Sequence, residues 1–323
     1  MTATTTVTGI ARVDVGDQIG WWAEEHDAIV AHLADQFGAA TPGTALPEPR
    51  EPAVLREGLR RVAPKLAALT DRVRAEFDEH GACAVEVPAL GLAAADIDER
   101  RKATFALASL IGDVMANHPM DFAVWDVKTR DADLASGGPS HSTTTRAAHY
   151  HTDAGYLPHP PRFFLLYAAR AAGCGGGLSL IRDGRVLRDQ LAQSEQGRRA
   201  MRLLSHELPR RVPQQFHSVS QVDEHGCAFA PVYTERPSWR WARRNIRIGL
   251  ENHPDHATPE VWEAVEMVKE LLEHGDDEFS TALPTDGVLI VDNHLAFHAR
   301  TVFTDAERHL FRIRFHDPAP ASP

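Results

Sequence analysis

The stretch HYHTDAGY, residues 149–156, sets two histidines, an aspartate and two tyrosines in eight positions. On an extended strand, residues i and i+2 face the same way. His151 and Asp153 would therefore aim an imidazole and a carboxylate at one spot, with Thr152 turned away. With 18 histidines in the chain, a His-x-Asp pair alone is weak, because most such pairs are surface contacts or hydrogen-bonded turns. A third ligand must come from elsewhere. The segment VLIVDNHLAFHARTVF, residues 288–303, offers His294 and His298 beyond a fully apolar run. Two histidines and a carboxylate on one face of a metal, with the other positions open, suit a non-haem ferrous site. The same three groups could hold zinc and activate a bound water. On chemistry alone the two histidines are equivalent, and either could merely cap a strand.

The elements that must position these groups follow from pattern. IGWWAEEHDAIVAHLADQFG, residues 19–38, places Trp22, Ile29, Val30 and Leu33 at helical spacing and ends on a glycine. Residues 39–53 are proline-rich and predict a loop or surface linker. An amphipathic run over 53–81 predicts one further helix, feeding the strand-like ACAVEVPAL, and another helix follows near 96–112. Residues 130–146 have little periodicity and many turn formers, as a lid or substrate-contacting loop would. Short β-type runs then dominate (RFFLLYAARA, GLSLIRDG, CAFAPVY, VLIVDN), with one more helix at 258–275. In the tail, Leu310, Arg312 and Arg314 alternate with Phe311, Ile313 and Phe315. The pattern predicts an α+β chain built on an antiparallel double sheet, in a single domain over 1–323 with a helical N-terminal extension over 1–60. The glycine run Gly173–Gly177 lacks the Gly-x-x-x-x-Gly-Lys-Ser/Thr pattern and a following helix. It predicts a tight turn rather than a nucleotide loop.

Composition narrows the function. A net charge of −11 over 323 residues argues against nucleic acid as a partner. Cys83, Cys174 and Cys227 are odd in number and far apart, so neither a disulfide framework nor a Cys-x-x-Cys motif is expected. The first residues lack the apolar core of a signal peptide, and no stretch is apolar enough for a membrane span. A soluble, cytoplasmic protein acting on a small molecule is the expectation.

The two histidine blocks are similar to a known family. YHTDAGYLPHPPRFFLLYAARAAGCGGGLSLIRDG and DGVLIVDNHLAFHARTVFTDAERHLFRIRF resemble the TauD-like Fe(II)/2-oxoglutarate dioxygenases, including the clavaminate-synthase-like amino-acid hydroxylases. The matching pieces are His151-Thr152-Asp153, Tyr156, Pro160-Pro161, Phe163–Tyr167, Gly176-Gly177-Leu178-Ser179, and the Asp292-Asn293…His298 block. The resemblance spans roughly 149–315, with a catalytic core over 81–317. It implies a double-stranded β-helix (jelly-roll or cupin-like) core, mainly antiparallel, with flanking helices. It further implies that His151, Asp153 and His298, not His294, bind Fe(II), and that dioxygen and 2-oxoglutarate are co-substrates. Arginine pairs both oxygens of a carboxylate at once. Of Arg308 and Arg312, the resemblance of RHLFR to the hydroxylases' Arg-Trp-Leu-x-Arg selects Arg312 as the 2-oxoglutarate anchor, helped by Ser179. With a carboxylate at Asp153, hydroxylation is implied rather than halogenation. The expected substrate is a free or modified amino acid of a natural-product pathway, then a small sulfonate or betaine-like compound. A member that binds metal or ligand without turnover is the alternative of another class. Arg146, His149, Trp125 and Arg300 are candidate substrate contacts.

Overall fold

The computed structural model describes residues 9–16, 20–117, 121–130, 143–235 and 238–319. Among these, the helices are α1 (Trp21–Phe37), α2 (Pro52–Val62), α3 (Pro64–Asp78), α4 (Ile97–Ile111), α5 (Gly184–Ala192), α6 (Glu195–Leu204), α7 (Arg243–Asn252) and α8 (Pro259–His274). The strands run β1 (Ile10–Arg12), β2 (Ala84–Val87), β3 (Asp113–Met115), β4 (Trp125–Lys128), β5 (Ala148–His151), β6 (Phe163–Arg170), β7 (Ser179–Asp183) and β8 (Leu208–Arg211). After them come β9 (Cys227–Ala230), β10 (Tyr233–Thr234), β11 (Ser238–Trp239), β12 (Phe279–Thr281), β13 (Val288–Asp292), β14 (Ala296–Arg300) and β15 (His309–His316).

Two sheets carry the architecture. The larger runs β1-β2-β13-β6-β15-β3, with β4 also on β15; the smaller runs β12-β7-β14-β5. Between the two sheets' strands, only β1 and β2 pair in parallel. From β5 to β7, and again from β12 to β15, the chain passes back and forth between the two sheets. The mixture of helices and antiparallel sheets agrees with the sequence pattern.

Three apolar clusters follow from the alternation of side chains. Helices α1 to α4 cover one face of the large sheet, packing Trp21, Leu59, Leu69 and Phe105 over Leu165, Ile290, Phe311, Ile313 and Phe315. Its other face meets the small sheet through Phe164, Leu289, Leu310, Ile181 and Ala296. The outer face of the small sheet, with Phe297, is closed by α5 to α8 and by Trp239 and Trp241. Phe311, Ile313 and Phe315 are fully buried, so the arginines alternating with them must face the space between the sheets.

Three expectations need correction. The helix expected over 53–81 is two, because Pro64 has no N–H to continue α2 and its ring drives Ala63 out of the helical region, to φ −133°. Residues 39–53 are not merely a surface linker: Leu46 is buried, and its carbonyl accepts from the Ala123 N–H. Helices are not gathered early; α5, α6 and α7 lie in the second half. Only Leu187, Leu191, Ala200, Leu204, Ile246 and Leu250 among their larger or apolar side chains are buried, along with one glycine in each, too sparse a stripe to read as period 3.6. The N-terminal helices are tied to the rest of the chain by a polar contact. Glu25 of α1 accepts from the N–H groups of Lys65 and Leu66 at 2.7 and 3.1 Å, capping α3. Of the loop expected over 130–146, residues 131–142 lie outside the described residues.

Candidate metal centre and its cavity

His151 and His298 are direct partners across β5 and β14. That rung sets both rings on the inner face of the small sheet, with centroids 4.1 Å apart. Phe297, the neighbour of His298, points the opposite way into the helical layer. The carbonyl oxygen of His149 lies 2.8 Å from Nδ1 of His151. A proton on Nδ1 makes that bond and leaves the Nε2 lone pair for a metal.

Asp153 arrives differently from the expectation. β5 ends at His151, and Asp153 opens a turn, so strand alternation does not aim it. Asn293 does: its side-chain oxygen accepts from the Asp153 N–H at 2.6 Å, and its Nδ2 donates to the carbonyls of Asp153 and Pro161 at 3.0 and 2.9 Å. Thr152 is pinned against Trp241 by two bonds, of 2.7 and 2.9 Å. Ala154 turns the chain away with φ 52°. For a residue with a Cβ, that conformation costs about 1 kcal/mol.

Oδ1 of Asp153 lies 3.7 Å from Nε2 of His151 and 3.8 Å from Nε2 of His298. The three residues form one of the groupings among the described residues with the spacing to hold a metal ion. Oδ2 of Asp153 faces the other way, 2.9 Å from Nε of Arg314 and 3.4 Å from Arg312. Burial pushes this carboxyl up, but Arg314, Arg312 and His298 hold it well below the usual carboxylate range. It is therefore ionised, as a metal ligand must be. His294 is turned aside toward the Pro160 carbonyl, 3.2 Å away, which separates it from His298 on geometry.

These groups line a cavity of about 990 Å³ between the sheets. Ser179, Arg312, Arg308, His149, Trp125 and Arg300 line it too. Arg312 pairs across the sheet with Leu166 and Trp125. Burial, then the neighbouring Arg314, push its guanidinium down to about 10, and its Nε is buried without a partner among the described residues. Arg308 is likewise buried, lowered to about 10 by burial and Arg300, and pairs with no carboxylate among the described residues. Arg300 donates to the carbonyls of Thr144 and Arg146. Arg146 itself is exposed and does not line the cavity; only its carbonyl meets this region. Sequence reasoning passed over Asn293 as a positioning group, Arg314 as the partner of Asp153, and Arg210 and Arg240 in the cavity wall. The Asp292-Asn293 pair and the tail's alternation were the available signals for the first two.

Residues 48–314 match the family described as taurine catabolism dioxygenase TauD, TfdA family. The chain belongs to this family. It is a non-haem iron dioxygenase, with 2-oxoglutarate and dioxygen as co-substrates, and the His151, Asp153 and His298 triad has the donor types and spacing to hold a metal ion. No match is found among curated proteins. Among solved structures, this TauD-family chain is similar to an asparagine oxygenase in complex with Fe(II), 2S,3S-3-hydroxyasparagine and succinate: 18% identity, TM-score 0.64, covering 96% of this chain and 93% of that one. It is also similar to the non-heme iron oxygenase OrfP in complex with Fe and alpha-ketoglutaric acid, at 15% identity and TM-score 0.63, covering 95% and 94%. No described helix is long and apolar enough to cross a membrane.

Proposed function

We propose that this TauD-family chain hydroxylates an unactivated C–H bond of a small amino-acid substrate, with His151, Asp153 and His298 as the iron ligands. The observation that carries it is the split role of Asp153, one oxygen toward two imidazoles and the other toward two arginines. The donor set fits the ion: two neutral imidazole nitrogens and an ionised carboxylate on one side, with open cavity on the other. When bound, iron with 2-oxoglutarate and dioxygen supplies the oxidation of a C–H bond, with succinate and carbon dioxide as co-products. The chain's own part is positional. Asn293 fixes the backbone of Asp153, Arg314 fixes its second oxygen, and the His149 carbonyl sets the tautomer of His151. Arg312, with its unpartnered Nε, and Ser179 hold the 2-oxoglutarate carboxylate. Arg308 is a second anchor for the same dicarboxylate, favoured by one fact: Arg312 already shares Asp153, whereas Arg308 has no carboxylate partner among the described residues.

His149, Trp125 and Arg300 border the substrate space. Amino-acid specificity is supported by the similar asparagine oxygenase and by OrfP, solved with (3S)-hydroxy-L-Arg; a small sulfonate is the second reading, supported by the family's association with taurine catabolism. We take the chain as one domain, and the alternation of strands between two facing sheets as a double-stranded β-helix. The test is dioxygen uptake with succinate release across free and modified amino acids and sulfonates. Substrate-dependent succinate with a hydroxylated product supports the reading. A metal-loaded protein that consumes no 2-oxoglutarate would overturn it. Arg312→Ala and Arg308→Ala should each raise the KM for 2-oxoglutarate, and the larger rise identifies the distal anchor.

A further inference from the structure

The cavity is far more cationic than the chain around it. In a protein of net charge −11, nine arginines and Lys269 line it, against two carboxylates, Asp153 and Glu273, among the described residues. Some of these cations are already neutralised. Arg243 pairs with Glu266 at 2.6 Å, Arg247 with Glu251 at 3.1 Å, and Lys269 with Glu270 at 2.6 Å. Arg314 belongs to Asp153, and Arg308 and Arg312 are accounted for by the co-substrate.

Arg244 is exposed to solvent and Arg300 is tied to the carbonyls of Thr144 and Arg146, which leaves Arg210 and Arg240. Arg210 is 2% exposed and donates only to carbonyl oxygens, those of Gly155, Arg240, Ala230 and Pro231, at 2.6–3.2 Å. Its Nε is buried without a partner among the described residues. Arg240 donates to the carbonyls of Leu157 and Pro158 at 3.3 and 3.2 Å. Gly155 makes room for this pair, since a Cβ there would come within 3.3 Å of Cβ of Arg240. Neither guanidinium has a carboxylate partner among the described residues, and burial lowers both. Arg210 is a buried cation held only by neutral dipoles, with the half-buried Arg240 beside it, and such an arrangement is costly unless an anion completes it. Their place is telling: Arg210 grips the carbonyl of Gly155, two residues beyond Asp153.

The converse holds for cations. A free ammonium group needs a carboxylate in such a pocket. Among the described residues, Asp153 is committed to the metal and two arginines, and Glu273 lies 3.3 Å from Lys269.

We infer that Arg210 and Arg240 form an anion subsite beside the metal, and that the substrate is a net anion bearing a carboxylate or sulfonate, without an uncompensated ammonium group. Among amino acids this selects acidic or N-acylated ones over neutral or basic free ones. The inference rests on the proposed dioxygenase function and names its substrate class.

Matched pairs test it: L-glutamate against L-glutamine, N-acetyl-L-glutamine against L-glutamine, and propanesulfonate against taurine. Binding to the full chain loaded with Mn(II) and 2-oxoglutarate is measured by calorimetry, and succinate release is measured with Fe(II). In each pair the more anionic member should bind roughly 10–100-fold tighter, the worth of a charge-assisted bond. Arg240→Glu should abolish or invert that order, and Arg240→Lys should keep it. The carboxylate and sulfonate arms show which anion the site takes. Equal or tighter binding of the neutral partners, or no binding by any member, would overturn the subsite. Tight anion binding without any succinate would instead overturn the dioxygenase reading and leave the subsite standing.

Discussion

Asp153 is the residue on which the site turns, because it serves two sets of partners at once. Arg314 should matter to the metal without touching it. Deleting its side chain leaves the second oxygen of Asp153 to Arg312 alone and frees the carboxylate to rotate. Removing groups that orient metal ligands typically lowers metal affinity about 10–100-fold, so Arg314→Ala should weaken Fe(II) or Mn(II) binding by that much in an anaerobic titration. Unchanged affinity would show that Asn293 alone suffices. Asp153→Asn is a different perturbation. It leaves the buried Arg314 and the half-buried Arg312 without a counter-charge, and breaking a buried pair in that way costs about 3–5 kcal/mol. Metal-free Asp153→Asn protein should therefore lose stability in urea, whereas metal-free His298→Ala should lose much less. Similar losses for the two variants would contradict this account. The sequence exposes the ligand types and, through the tail's alternation, the face that Arg312 and Arg314 share. It does not expose their contact with Asp153, because the turn that swings Asp153 toward them is set by Asn293, some 140 residues away.

Between elements, a few polar ties hold helices to the sheet that carries the arginines. Asp126 on β4 accepts from Arg101 of α4 at 3.0 Å and meets Nε2 of His309 on β15 at 2.8 Å. Burial raises the Asp126 carboxyl, but His309 and Arg101 more than offset this and hold it below its ordinary value. A carboxyl depressed in the folded state contributes stability above its unfolded value, near 3.9, and loses that contribution as pH falls through its folded value. Asp126→Asn should thus be less stable than the parent by roughly 1–3 kcal/mol at pH 7, with the gap narrowing below about pH 4. A gap that widens in acid would reverse the assignment. Helix α7 packs closely on β8, which pairs with β9 outside the two main sheets. A Cβ on Gly249 would lie 2.2 Å from the Pro209 carbonyl oxygen and 2.7 Å from the Arg210 N. Gly249→Ala should destabilise by about 1–3 kcal/mol despite better helix propensity. Much of this level was legible: α1, α4 and α8 carry clear stripes or end signals, and the apolar strands β6 and β13 are plain. Helices α5 to α7 were not, because short polar helices on a tryptophan-rich layer show too few apolar repeats. The pairing of β5 with β14 was not legible either, since register between distant strands is a property of the folded sheet.

At the scale of the whole molecule, an acidic chain encloses a basic cavity, and this should show in how ligands stabilise it. Arg308 and Arg210 are buried and Arg312 is half-buried; all three are held below the usual guanidinium range, so their charges oppose folding until an anion enters. A ligand that binds only the folded chain stabilises it by RT ln(1 + [L]/Kd), about 2.7 kcal/mol at 100-fold over Kd. At roughly 2–4 °C per kcal/mol for chains of 150–250 residues, saturating 2-oxoglutarate with Mn(II) should raise the Tm by several degrees. The rise should have two separable parts. 2-Oxoglutarate alone, with metal chelated, should still give a smaller rise through the arginines, and added salt should erode it as it screens those charges. His298→Ala should keep this smaller part and lose the increment that metal adds; Arg312→Ala and Arg308→Ala should diminish it. If 2-oxoglutarate has no effect on Tm unless metal is present, the arginines do not bind the dicarboxylate on their own, and the cationic cavity has no independent pull on anions.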